Sequence, residues 1–189
     1  MTNDAFKDRG RAFETHYFNK LSDEKAKALK EKLQRNHDLQ ELQKDTGITD
    51  TRLLQAVLDH GISASELTSL TLFPVAYVAW ADGKIDEKER NAVFKACKEF
   101  GISQNTATMD LMESWLEHPV EEEMLTLWSS WIQEALKHME PEHAKGFAMN
   151  IKNKAHAVAT SSRSFLGLGA QISHKEKEAL DHISSILHL

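Results

Sequence analysis

Val75-Ala76-Tyr77-Val78-Ala79-Trp80-Ala81-Asp82-Gly83-Lys84-Ile85-Asp86-Glu87-Lys88-Glu89-Arg90 is the stretch that decides the fold. An apolar run enters Asp82-Gly83, turns, and restarts as a charged amphipathic segment at Asp86. Gly83 can take the positive φ that closes a helix. Ile85 is an apolar residue just ahead of a new helix, Asp86 is a good N-cap, and Glu89 three residues on completes a capping box. Acids in that first turn also suit the helix dipole. The pattern is helix, tight turn, helix.

The same residues invite a metal reading, because Asp82, Asp86 and Glu89 converge on one turn. On the calcium-loop frame D-x-D-x-D-G-x-I-x-x-x-E, Asp82, Gly83, Ile85, Asp86 and Glu89 fit the later places. The first and third places fall on Val78 and Trp80, which offer no side-chain oxygen. An EF-hand is excluded. A weaker site for a hard cation, Ca2+ or Mg2+, survives on Asp82, Asp86 and Glu89 with carbonyls and water. Zinc is disfavoured, since no Cys or His stands near the turn. Lys84 and Lys88 are placed to offset the acids without any ion. Capping explains Asp86 and Glu89 by itself and carries more weight than the metal.

Val78-Ala79-Trp80-Ala81-Asp82-Gly83-x-Ile85-Asp86-x-x-Glu89 resembles the signature of the TerB-like tellurite-resistance family, over about residues 64–189. The resemblance implies an all-helical, non-catalytic, cytoplasmic module in a stress context, with metal binding suspected at the same turn. Carried over residue by residue, that role falls on Asp82, Asp86 and Glu89 only. At the other end, residues 6–14 resemble the opening of the small inhibitory zeta subunit of some bacterial F-type ATP synthases.

Outward from the turn, the composition agrees with an all-α chain. Among 189 residues there are only 8 Gly and 3 Pro, and 41% are hydrophobic, enough for a core. The net charge of −6 is uneven: residues 1–60 carry 11 Lys/Arg and 11 Asp/Glu, residues 61–189 carry 12 and 18. With no basic patch, nucleic acid is not an expected partner. The single Cys97, set in an apolar stripe, fits a reducing compartment and a core position rather than a nucleophile. No run is long and apolar enough for a membrane span, and residues 1–20 carry charges where a signal peptide needs an apolar stretch. A cytoplasmic protein is expected.

Four junctions carry one punctuation mark: Gly47-Ile48-Thr49, Gly61-Ile62-Ser63, Gly101-Ile102-Ser103 and Gln171-Ile172-Ser173. Each reads as a helix stop, an apolar staple and a new N-cap. Between them lie one or two helices over 4–44, with Phe6, Phe13 and Tyr17 on a stripe and Ser22 as a second cap. A short helix follows over 50–59, then a buried central helix over 64–81 with a kink or restart expected at Pro74. Further helices cover 86–100, 103–117, 120–139 (started by Pro119, with Glu121-Glu122-Glu123 in its first turn), one opened by Pro141, and 173–188. A connector is expected at 161–169. Ile172-Ser173-x-x-Glu176 repeats Ile85-Asp86-x-x-Glu89, which reads as a degenerate duplication into two helix–loop–helix units. The expectation is an N-terminal helical extension (1–60) and one domain of about seven helices (61–189).

For an enzyme, the chain has no nucleophile elbow, no CxxC, no Walker loop and no HExxH; its ten histidines are scattered. Catalytic residues are therefore expected to be none, and no small-molecule substrate is evident. The expected function is a non-catalytic interaction module with a protein partner, binding a divalent cation weakly at the Asp82–Glu89 turn. An alternative is an adaptor whose N-terminal helices bind the partner without any metal. A third is metal-assisted hydrolysis at the same turn.

Overall fold

Gly47, Gly61, Gly83 and Gly101 hold φ of 71°, 73°, 90° and 78°, the left-handed backbone that strains any residue with a Cβ. Three of the four expected junctions therefore stop where the glycine is, and the signature turn has its own. At two of them the closure is a full Schellman motif. The N–H of Ile62 donates to the Val57 carbonyl and that of Gly61 to Leu58; the N–H of Ile102 donates to Cys97 and that of Gly101 to Lys98. Ile62 and Ile102 are buried, as are Val57 and Cys97, so each motif ends on the apolar contact that accompanies it.

The computed structural model describes residues 3–103, 106–161 and 172–189, with side chains from residue 20 onward except Ser22. Its elements are α1 (Asn3–Thr46), α2 (Thr51–Asp59), a 3-10 turn (Ala64–Glu66), α3 (Leu67–Ala79), α4 (Glu87–Glu99), α5 (Ala107–Glu117), α6 (Glu122–Lys137), α7 (Pro141–Ser161) and α8 (His174–Ile186). The fold is all-α, with no strand among the described residues. Between 64 and 189 the expected seven helices are six α-helices and the 3-10 turn. The Phe6, Phe13 and Tyr17 stripe lies outside the described side chains. Of the connector expected at 161–169, Ser161 ends α7 and the rest lies outside the described residues.

Several local expectations are corrected. Helix α1 runs through Ser22 without a break, so no second cap exists there. The N-cap of α2 is Asp50, one residue after Thr49, because its carboxylate accepts from both the Arg52 and Leu53 N–H groups. Thr106, not Ser103, caps α5 through the Met109 N–H. Pro119 stands two residues ahead of the N-cap Glu121, and the helix starts at Glu122. Of the kink or restart expected at Pro74, the restart is absent: Pro74 lies inside one continuous α3. The missing N–H and the ring cost about 3 kcal/mol in a free helix; here every neighbour of Pro74 from Ser69 to Ala76 is buried, and that packing holds the helix together.

Helix α3 is the centre. Leu70, Phe73 and Val78 face one buried cluster with Leu54, Val57, Trp128, Ile132, Ile151, Leu180 and Ile183. Leu72, Val75, Ala76 and Ala79 face another with Val93, Cys97, Met112, Leu116 and Val158. A helix apolar on all sides is stable only when enclosed, and α3 is enclosed. Leu42 and Ile48, from the stretch expected to be an extension, lie in the first cluster too. Residues 23–36 of α1 are exposed, so α1 is an arm whose last turns are rooted in the core. No single described helix is long and apolar enough to cross a membrane.

Phe73 is the aromatic hub: its ring meets Trp115 edge-on at 5.5 Å, Trp128 at 5.9 Å and Tyr77 at 6.1 Å. Phe73→Ala should destabilise the chain by about 3–5 kcal/mol, read from the midpoint of urea unfolding.

Candidate functional site

The signature turn begins where α3 ends. Trp80 is its C-cap, the Gly83 N–H donates to the Trp80 carbonyl at 2.9 Å, and Asp82 Oδ1 accepts from the Lys84 N–H at 3.3 Å. The chain then extends through Ile85, which packs against the second cluster, to Asp86 (φ −86°, ψ 170°). Asp86 Oδ1 accepts from the N–H groups of Lys88 and Glu89, both at 2.8 Å. Glu89 Oε2 accepts from the Asp86 N–H at 2.8 Å. The capping box expected from Asp86-x-x-Glu89 is present with both halves made.

The residues flanking the turn do a second job. The indole N–H of Trp80 donates to the Trp115 carbonyl (2.8 Å) and the Arg90 guanidinium to the Leu116 carbonyl (2.9 Å). Both acceptors belong to the last turn of α5, whose carbonyls have no partner within the helix. A cation at that end also suits the helix dipole. Trp80 and Arg90 thus pin α5 to the turn, a role their positions in the sequence did not announce.

The second unit repeats the geometry. Ser173 Oγ accepts from the Glu176 N–H at 3.1 Å, and Glu176 Oε2 accepts from the Ser173 N–H at 2.6 Å. Glu89 is 5% exposed and Glu176 2% exposed, both unusual for a carboxylate. They are near enough for the charge of Glu176 to act on Glu89. Each of the two boxes thus ends on a buried capping glutamate. A third box, Ser63 with Glu66, was missed: Ser63 was read as a cap, but Glu66 three residues on was not paired with it.

Glu66 and Glu89 make the comparison that matters. Burial pushes Glu66 up, but hydrogen bonds from Ser63 and Ser65 outweigh it, and its carboxyl sits below the ordinary value. Burial also pushes Glu89 up. The hydrogen bond from Asp86 opposes this, while the charges of Asp86, Asp82 and Glu176 add to it, and Glu89 ends above its ordinary 4.5. One cap is electrostatically comfortable. The other is crowded by like charge.

Crowding is not coordination. Asp82, Asp86 and Glu89 do not form a group whose ligand atoms all lie within 4.8 Å of one another; among the described residues, His37, Asp38 and Glu41 do. The cap engages Asp86 Oδ1 and Glu89 Oε2, so a cation at the turn would be held by their other oxygens, by Asp82 and by water. Beside the turn, Tyr77, Trp80, Val120, Lys175 and His182 line an open groove of about 490 Å³ between the two units. Cys97 is buried, and that burial pushes its thiol up to about 11, which fits a core residue.

Asp86→Ala should destabilise the chain by about 1 kcal/mol, as a melting-temperature drop against wild type. Glu89→Gln keeps an acceptor for the Asp86 N–H and removes the charge. Because the folded pKa of Glu89 is raised, its stabilising contribution is fully present below 4.5 and is lost as pH rises through the folded value. Urea unfolding at a series of pH values should therefore show wild type losing stability relative to Glu89→Gln over that window.

No family model, no curated protein and no solved structure matches the chain, so its likeness to the TerB-like family stands on the motif residues alone.

Proposed function

We propose that the chain is a non-catalytic, TerB-like interaction module that binds a protein partner and carries a weak hard-cation site at the Asp82–Glu89 turn, in a tellurite-resistance-like stress context. The observation that carries the cation is Glu89: a buried carboxylate, held in place by its own cap, with Asp82, Asp86 and Glu176 acting on it. An ion at the remaining oxygens relieves that repulsion and exchanges the cost of buried like charge for coordination. Sparse oxygen sites of this kind take Ca2+ or Mg2+, with affinities of about 10⁻⁴–10⁻³ M.

A second reading, the adaptor, rests on α1. Leu29 and Leu33 are 59% and 61% exposed, one turn apart on the arm, and together they offer a short apolar face to an amphipathic partner helix. The two readings part at the ion: the adaptor needs the arm and no metal.

Calorimetric titration of the chain with Ca2+, Mg2+ and Mn2+ tests the site. Saturable binding near millimolar ion, lost in Asp82→Ala, is the expected result. Absence of binding in wild type at several millimolar leaves the turn as a helix cap. The adaptor is then tested by whether Leu29→Lys with Leu33→Lys abolishes partner recruitment while leaving the melting temperature unchanged.

A further inference from the structure

The geometry points to a zinc site at His37, Asp38 and Glu41, where the exposed part of α1 meets its docked end. The residues lie at i, i+1 and i+4 of one helix, so His37 and Glu41 stack across a turn and Asp38 and Glu41 sit at i, i+3. One ligand atom from each lies within 4.8 Å of the other two. His37 Nδ1 is 3.8 Å from Asp38 Oδ1 and 3.7 Å from Glu41 Oε2.

Those separations are within reach of a tetrahedral zinc. A tetrahedral ion bound at about 2.1 Å sets neighbouring ligand atoms about 3.4 Å apart, as for zinc. The observed gaps of 3.7 and 3.8 Å close onto that edge with small side-chain rotations. The donor set selects the metal: one imidazole with two carboxylates is a zinc-type combination, whereas hard cations take oxygen alone. Gln34 Nε2 donates to Asp38 Oδ1 at 2.8 Å from the preceding turn, fixing that carboxylate as an outer partner does in metal sites. The protein fills three positions, and water or a partner's side chain takes the fourth.

The position gives the ion a task. Just beyond Asp38, Leu39 packs against the core and Leu42 is buried in it, whereas residues 23–36 are exposed. A metal that joins successive turns there stiffens the arm where it leaves the body. This site is separate from the Asp82–Glu89 turn and does not depend on it.

Calorimetry of the full chain with zinc chloride should give one saturable site in wild type. His37→Ala should remove it, Gln34→Ala should weaken it roughly tenfold, and Asp82→Ala should leave it unchanged. Cobalt(II) should give the intense visible bands of a four-coordinate ion in wild type and lose them in His37→Ala. His37 is exposed, and far-ultraviolet dichroism will confirm that the helix persists in the variant. Equal zinc affinity in wild type and His37→Ala, zinc binding lost in Asp82→Ala but kept in His37→Ala, or no saturable binding in wild type would each overturn the assignment and leave His37 as an ordinary helix-face contact to Asp38 and Glu41.

Discussion

Helix α3 has no side that can face water, and the rest of the architecture answers that constraint. From Ser69 to Ala76 every residue is buried, Pro74 included. One side is covered by α2, α6, α7 and α8, and the other by α4, α5 and the far part of α7. Enclosing one short apolar helix from two sides demands many helices and many helix ends. Each end exposes carbonyls or N–H groups that have to be met. This is why caps, rather than pockets, dominate the polar chemistry of the molecule.

Seen that way, the signature turn is first a joint. It ends the enclosed helix, starts α4, and through Trp80 and Arg90 closes the last turn of α5. Function, where it enters, has to be built from groups that already serve the joint. Glu89 illustrates the tension: its cap requires it to be buried, and the packing of the second unit then places Glu176 within reach of its charge. Glu66 caps the 3-10 turn without that crowding and is stabilised as an anion. The same local motif is neutral ground in one place and a strained site in another, and long-range packing makes the difference.

Helix type, number and order were largely legible because they depend on short-range chemistry. Gly61-Ile62 and Gly101-Ile102 announce their stops through a positive φ and one buried isoleucine, both readable in a dipeptide. Asp86-x-x-Glu89 and Ser173-x-x-Glu176 announce their starts in four residues. What was not legible depends on competition or on distance. Asp50 took the cap for which Thr49 was read, its carboxylate accepting from two N–H groups. Pro74 was read by its local penalty, and burial carries the helix through it without a restart. That the charge of Glu176 adds to Glu89 depends on packing, which a repeat suggests and does not supply. His37, Asp38 and Glu41 were passed over among ten scattered histidines, although their spacing on a continuous helix was there to be used.

The arm of α1 has a consequence for how helix is maintained in water. An isolated helix must first fix a turn, a step with an equilibrium factor of about 10⁻³, before propagation can begin. In this chain that turn is already formed, because Leu39 packs on the core, Leu42 lies inside it, and Thr46 Oγ1 donates to the Leu42 carbonyl. Residues 20–38 therefore extend a standing nucleus instead of creating one. Their helix is seeded from the docked end, and its persistence decays outward with each turn, set by intrinsic propensity and by contacts such as Lys20 with Glu24 and Lys27 with Glu31. The core thus lends cooperativity to a segment that never enters it.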